Sequence, residues 1–383
     1  MRKDFLVFGQ PLIEQSEIDE VVDSLKKAWL GTGPKVARFE KMFAEFKGMP
    51  YMVALYSCTA GLHLSCLALG LEKGDEVITT AMTFAATVNA IINSGATPIL
   101  ADIDPVTLNI DPAEIEKKIT SKTKAIIPVH FAGRCCDMDA IMDIANRHHL
   151  YVIEDCAHAI ETEYHGRKAG TFGNFGVFSF YATKNIITGE GGMVISYDEK
   201  RINRIKILGL HGMSRDAWKR FSDEGYKHYY VQEAGYKYNM MDLQAAIGIH
   251  QLPRVEKYHK KREGIWNKYI NEFKDFPIEL PAPVEPQTRH AYHLFTILID
   301  KEKCGISRDE FLNKMTGNKI GVGVHYLSIP EHPFYQRTYG WKPEDYPFAT
   351  QYGRQTVSLP LSPKLTDEDV EDVIGSVRGV LKK

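Results

Sequence analysis

Three short stretches of this chain carry residue types that do chemistry. In GVFSFYATKNIITGEGGMVI, residues 176 to 195, Lys184 follows an aromatic-rich apolar run and precedes a run of glycines. An unpaired ammonium is costly to bury and tends to lose its proton instead. A lysine in that setting is a candidate amine nucleophile, able to form a Schiff base with an aldehyde once its pKa falls. In YVIEDCAHAIETEYHGRKAG, Asp155 closes an apolar run and His158 follows shortly after. A carboxylate there can hold a protonated ring nitrogen by a charge-assisted hydrogen bond. In SCTAGLHLSCLALG, residues 57 to 70, small polar residues precede Gly61 and an apolar helix. Such a turn leaves unpaired N–H groups at the positive end of a helix dipole, a cradle for a phosphate dianion with Thr59 and Ala60 at its mouth. Taken singly these are ordinary features: an exposed loop lysine, a capping aspartate beside a core histidine, a capped helix. Together they supply anchor, ring-nitrogen partner and amine, the minimal set for pyridoxal phosphate.

These residues need elements to place them. Short apolar runs, EVITT (76–80), TPILADI (97–103), KAIIPVH (124–130), YVIED (151–155), GVFSF (176–180) and GMVISY (192–197), alternate with helical patterns such as TAGLHLSCLALG, PAEIEKKI and DMDAIMDIANRHH. Strands apolar throughout and separated by helices predict an α/β domain with a mainly parallel sheet covered on both faces. Ligands bind such sheets outside the carboxyl ends of the strands, where His130, Asp155 and Ser179 fall. Residues 16 to 29, SEIDEVVDSLKKAW, predict a helix capped by Ser16 with Ile18, Val21, Val22 and Leu25 on one face. Residues 240 to 273 read as one or two long helices, and HLFTILID followed by ISRDEFLNKM predicts a smaller C-terminal α+β domain. The division expected is 1–250 for the large cofactor-binding domain and 251–383 for the small one.

Composition narrows the classes further. The 383 residues are 44% hydrophobic and 25% charged with a net charge of −2, so no electrostatic footprint for nucleic acid or anionic lipid exists. The start, MRKDFLVFGQPLIEQ, has too short an apolar run for a signal peptide, and no stretch reaches transmembrane length, so a cytoplasmic protein is expected. Six cysteines without a C-x-x-C pair or regular histidine spacing predict free thiols and no structural metal. No G-x-G-x-x-G follows a strand and no Walker-type loop is present, which argues against a dinucleotide.

Beyond the three stretches, the sequence resembles the DegT/StrS-type sugar aminotransferases of fold type I. The matching segments run nearly end to end: WLGTGPKVARFEKMFA, GDEVITTAMTFAATVNAI, GATPILADID, KAIIPVHFAG, IEDCAHA, FSFYATKN, GEGGMV, GYKYNMMDLQAAIG and SLPLSP. KAIIPVHFAG, GYKYNMMDLQAAI and CGISRDEFL are most similar to the UDP-4-amino-4-deoxy-L-arabinose aminotransferase-like branch. The resemblance implies that Lys184 bonds covalently to pyridoxal 5'-phosphate, Asp155 pairs with the pyridinium nitrogen and His158 sits beside the ring. It implies that Phe84 stacks on the cofactor and that Thr59, Ala60 and Ser179 bind its phosphate. Asn239 would reach that phosphate from a neighbouring subunit, making a homodimer with shared sites. Gly31, Thr32, His325 and Tyr326 fall where relatives line the sugar pocket, and Lys237 and Arg215 are candidate partners for a donor carboxylate or a nucleotide diphosphate.

The expected activity is transfer of the amine of L-glutamate to a keto group of a nucleotide-linked sugar, of the 4-keto-6-deoxy hexose or 4-keto pentose type, by a ping-pong mechanism. An inositol-like ring ketone is an alternative acceptor, and a non-catalytic protein of the same fold a further reading. A sugar dehydratase of the family would carry histidine in place of Lys184. One departure from the family pattern stands at VHYLSIPEHPFY. Many members place a histidine where this chain has Pro330, which has no side-chain donor or acceptor.

Overall fold

The structure, a computed structural model, describes residues 2–213 and 229–381. The strands up to residue 196 are β1 (Tyr51–Leu55), β2 (Glu76–Thr80), β3 (Thr97–Ala101), β4 (Thr123–Ile127), β5 (Tyr151–Asp155), the two-residue β6 (Glu163–Tyr164) and β7 (Arg167–Lys168), β8 (Phe175–Ser179) and β9 (Gly192–Ser196). Seven of them form one sheet in the order β1-β9-β8-β5-β4-β2-β3. β3, β2, β4, β5 and β8 run parallel, β9 runs against β8, and β1 runs against β9. β1 therefore shares the direction of the parallel set, and its carboxyl end opens on the same edge.

Alternation along the strands builds a core on each face. Leu55, Val177 and Val194 pack with Leu62 and Cys66 of the helix that follows β1. Ala54, Phe178 and Met193 face Phe39 and Phe43 of α2 (Pro34–Lys47) instead. Residues in β8 and β9 are buried throughout, as a strand covered on both faces must be. Past the helices Asp242–Gln251 and Val255–Phe273, an antiparallel pair, Phe295–Leu298 with Thr356–Leu359, packs on Arg308–Gly317 and Asp367–Leu381. Phe295, Phe311, Val357 and Val373 share that cluster with Leu6 from the other end of the chain.

One sequence expectation is overturned. α1 (Gln15–Lys26) is capped by Glu14 rather than Ser16, and it does not bury the predicted apolar face. Ile18, Val22 and Leu25 are exposed by 47%, 38% and 54%, while Glu17 and Ser24 are buried. Polar pairing turned the helix: Glu17 accepts from Gln251 at 2.6 Å and pairs with Arg254 at 2.5 Å. An apolar stripe finds the core only when nothing stronger orients the helix.

The carboxyl edge is braced by Glu154. Its carboxylate, fully buried, accepts the N–H groups of Phe172 and Gly173 at one oxygen, and those of Gly170 and the His130 ring at the other. Cys136 donates its backbone N–H to His130 Nδ1 at 3.1 Å, so the imidazole proton lies on Nε2 and points at Glu154. The substitution Glu154→Gln leaves one oxygen for four donors and turns an NH2 group toward the others. We expect a loss of about 2–3 kcal/mol, read as a lower urea midpoint at unchanged slope.

Candidate functional site

Lys184 sits on a loop pinned at its base between β8 and β9. The N–H of Phe180 bonds Gly191 O at 2.9 Å, that of Thr188 bonds Phe180 O at 2.8 Å, and that of Lys184 closes a turn on Tyr181 O at 2.8 Å. The glycines that follow have separate tasks. Gly189 takes a left-handed φ of +84°, and a Cβ on Gly192 would lie 2.5 Å from the carbonyl carbon of Ser57. That contact presses the start of β9, beside Ser179, against the turn after β1. Lys184 is half-buried, and no ion pair among the described residues includes it. Burial brings its pKa down to about 8, partly offset by Cys58 and Asp155.

Ser57 caps α3 (Cys58–Ala68), its hydroxyl accepting from the Ala60 N–H at 3.1 Å. The N–H groups of Cys58 and Thr59 precede any intrahelical acceptor and remain for an anion. Asp155 lies behind this turn, at the end of β5. Its Oδ1 accepts the Ala157 N–H at 3.1 Å and its Oδ2 the Thr87 hydroxyl at 2.9 Å. A carboxylate has about four acceptor positions, so capacity is left for a ring N–H.

The remaining wall comes from loops. Phe84, N-terminal to α4 (Ala85–Asn93), is 61% exposed and its ring centroid stands 5.9 Å from that of Tyr326. The Ala132 N–H donates to His158 Nδ1 at 3.2 Å, which puts the imidazole proton on Nε2, 3.0 Å from the Tyr326 hydroxyl. Tyr326 thus accepts from His158 and keeps its own proton to give. Burial, followed by Lys184, His293 and His325, holds His158 well below the usual histidine range. His325, bonded to Ser358 at 2.7 Å, is brought down to about 4 by burial and Lys184.

The structure thus brings Thr59, Ala60, Phe84, Asp155, His158, Ser179, Lys184, His325 and Tyr326 to one edge of the sheet. Gly31, Thr32 and Asn239 gather elsewhere. Asn239 donates to Thr32 Oγ1 at 2.7 Å within the same chain, its backbone bridges Leu55, and the Gly31 carbonyl accepts from Asp242 N at 2.9 Å. Asn239 and Thr32 line an apolar groove with Trp29, Pro34 and Leu55, and Asn239 Oδ1 is buried with no partner among the described residues. Lys237 is exposed on the same segment. Arg215 lies outside the described residues. His130, Glu154 and Cys156 lie close enough to hold a metal, but the contacts of the Glu154 carboxylate and both ring nitrogens of His130 are already taken up within the protein.

Sequence reasoning missed the support behind the loop. Asn185 donates to Glu161 at 2.8 Å and to Ala291 O at 3.0 Å, and its oxygen faces His293 Nδ1 at 2.9 Å. Glu161 pairs with the buried Arg262, and the His293 ring lies 4.3 Å from that of His158. No signal within ATKN or AYHLFT marks these partners, which are far apart in the chain. The donor set fits pyridoxal phosphate: an amine near neutrality, a carboxylate with spare acceptor positions, an exposed aromatic face and open helix N–H groups. Because the neutral amine predominates above about pH 8, acetic anhydride labelling of Lys184 in the cofactor-free protein should reach half its maximal rate near that pH. Exposed lysines should do so roughly two units higher, near about 10.4; a midpoint for residue 184 at theirs would contradict the burial argument.

Comparison with known proteins agrees with this geometry. A family model described as DegT/DnrJ/EryC1/StrS aminotransferase matches residues 11–378. The spore coat polysaccharide biosynthesis protein SpsC of Bacillus subtilis is 48% identical over 382 residues, covering 100% of this chain and 98% of its own. Spr1654 of Streptococcus pneumoniae, a sugar aminotransferase solved in its PMP form, superposes with a TM-score of 0.91 at 32% identity, covering 98% of this chain and 97% of that one. The same protein has been solved in its PLP form. PseC of Helicobacter pylori, an aminotransferase of pseudoaminic acid biosynthesis, gives 0.91 at 28% identity over 99% of both chains. With a model match over nearly its whole length and a relative 48% identical across it, the chain belongs to the DegT/DnrJ/EryC1/StrS aminotransferase family.

Proposed function

We propose that this enzyme binds pyridoxal 5'-phosphate at the edge formed by α3, β5 and the Lys184 loop, and moves the amine of L-glutamate to a keto group of a nucleotide-linked sugar. The observation that carries the reading is a half-buried amine on a loop pinned between β8 and β9, in electrostatic reach of the buried Asp155 carboxylate and beside the open N-terminus of α3. The N–H groups of Cys58 and Thr59 and the hydroxyls of Thr59 and Ser179 would hold the phosphate beside Ala60, whose own N–H is held by Ser57, with Phe84 on one face of the ring and Asp155 at the ring nitrogen. Lys184 would hold the cofactor's aldehyde carbon and, once displaced as a free amine, move the α-proton. When bound, the cofactor supplies an electron sink for the pair left by that proton. Tyr326, oriented by neutral His158, would offer its hydroxyl proton on the acceptor side without adding charge. The described relatives act in sugar and polysaccharide pathways, which supports an amino sugar destined for a glycan.

The placement of Asn239 supports a homodimer. The residue lines the apolar groove, and around that groove Trp29, Leu30, Tyr56 and Met241 are exposed by 49%, 44%, 39% and 44%. With the bare face of α1 they make an apolar surface of the kind that a second copy covers. Lys237 and Asn239 would then serve the partner's site, and Gly31 and Thr32, which sit beside Asn239, would line the sugar pocket of that same site.

Two experiments test the reading. Adding L-glutamate without acceptor to the cofactor-loaded protein should shift the visible absorbance, and adding a keto sugar nucleotide should return it. Lys184→Ala should cut turnover at least about 1,000-fold; an unchanged spectrum with glutamate and other amino donors would overturn the assignment. Separately, Leu25→Glu combined with Trp29→Glu should yield a sedimenting monomer with little exchange activity, whereas a dimer at wild-type strength would remove the shared-site argument.

A further inference from the structure

Behind Asp155 lie two buried threonines that neither the motifs nor the family comparison single out. Thr87, on the first turns of α4, places its hydroxyl 2.9 Å from Asp155 Oδ2, and Thr83 places its own 2.8 Å from that of Thr87. Both side chains are buried. An ionised carboxylate only accepts, so the Thr87 proton points to Asp155 and the Thr83 proton points to Thr87. Two hydroxyl dipoles therefore align head to tail and end on the carboxylate, which strengthens the terminal bond in a dry setting.

We propose that Thr87, seconded by Thr83, is a positioning residue that keeps Asp155 ionised and aimed at the ring nitrogen of the bound cofactor. The inference rests on the reading given under Proposed function and adds to it a requirement that burial creates. Taking Asp155 out of water favours its neutral acid, and a neutral acid cannot hold a pyridinium. The carboxylate's own contacts must offset that cost, and the structure shows few: the Ala157 N–H, the Thr87 hydroxyl and, at a weak 4.0 Å, the Cys58 thiol. Burial raises the Asp155 pKa, with the Ala157 N–H, the Thr87 hydroxyl and Lys184 pulling it down in that order. Thr87 is the one side-chain hydroxyl among the hydrogen bonds that the described residues make to this carboxylate. If Asp155 takes up a proton, the direction of the wire reverses, the acid donating to Thr87 and Thr87 to Thr83. The pair thus has a polarity set by the charge of Asp155.

The test uses the cofactor-loaded enzyme and the absorbance change on adding L-glutamate, measured from pH 5 to 9. Thr87→Val keeps the side-chain shape and removes the donor. Its half-reaction rate should fall about 10- to 100-fold, the value of one hydrogen bond to a charged group, with the glutamate KM altered less than about threefold. Losing a stabiliser of the anion raises the Asp155 pKa, so the acid limb of the profile should move upward by about one unit or more. Thr87→Ser should restore both rate and profile, and Thr83→Val should show the same shift at smaller size. A purely structural role would lower stability in Thr87→Val and leave the acid limb in place. A Thr87→Val profile that overlays an active wild type overturns the positioning role alone. A wild type inert to every amino donor overturns the functional reading and the role of Thr87 with it.

Discussion

The site depends on keeping one amine dry without giving it a close anion. A salt bridge at Lys184 would lock the ammonium and hold its pKa high, whereas exposure would leave it protonated below about pH 10. The fold takes a third course. It half-buries the side chain on a short loop whose backbone is tied to β8 and β9, and it leaves Asp155 within electrostatic reach but outside contact. The loop must then be rigid, since a lysine free to swing into water recovers its proton. Rigidity comes from the next residue: Asn185 spends both amide hydrogens and its oxygen on Glu161, Ala291 and His293. Glu161 in turn is fixed by Arg262 on the long helix Val255–Phe273, so the lysine loop is anchored through segments distant in sequence.

The neighbourhood is tuned by the same burial. Lys184 is the cation nearest to His158, His293 and His325 in effect, and each imidazole is pushed toward neutrality by burial first and by that lysine second. Three neutral rings beside one amine can donate and accept hydrogen bonds without adding a competing charge. The Ala132 N–H settles which nitrogen of His158 carries its proton, and so settles that Tyr326 receives a bond there rather than gives one. Donor and acceptor directions around the lysine are thus fixed by backbone groups, which do not titrate.

What could be read from the residues follows what is local. The strands were legible because each is a continuous apolar run bounded by turns, and Asp155, Ser179 and Lys184 were legible because they interrupt or end such runs. The observed boundaries differ by only a few residues: TPILADI shrinks to Thr97–Ala101 and KAIIPVH to Thr123–Ile127, where ladder bonds stop before the apolar pattern does. The orientation of α1 was not legible, since the Glu17–Arg254 and Glu17–Gln251 contacts join residues more than 200 apart. Thr87 and His293 escaped for the same reason. Threonine in TFAAT and histidine in AYHLFT look like ordinary strand or helix residues until a partner is set against them.

Glu154 and Asp155 show how one strand end can set a saturated carboxylate beside one with acceptor capacity to spare. Adjacent residues on a strand point to opposite faces, so a Glu-Asp pair at a strand end sends its two carboxylates to different surroundings. Glu154 meets His130 and the N–H groups of the 170–173 turn, which spend its acceptors on holding the sheet edge. Asp155 meets α3 and α4 instead, where Cys58 and Thr87 approach and acceptor capacity is left over. Swapping the two would not be conservative in either direction. The shorter side chain on the braced face would fall short of the turn, and the longer one on the open face would crowd the cradle. One saturated and one unsaturated carboxylate follow from the period of the strand itself, with a single residue of spacing separating the brace from the open acceptor.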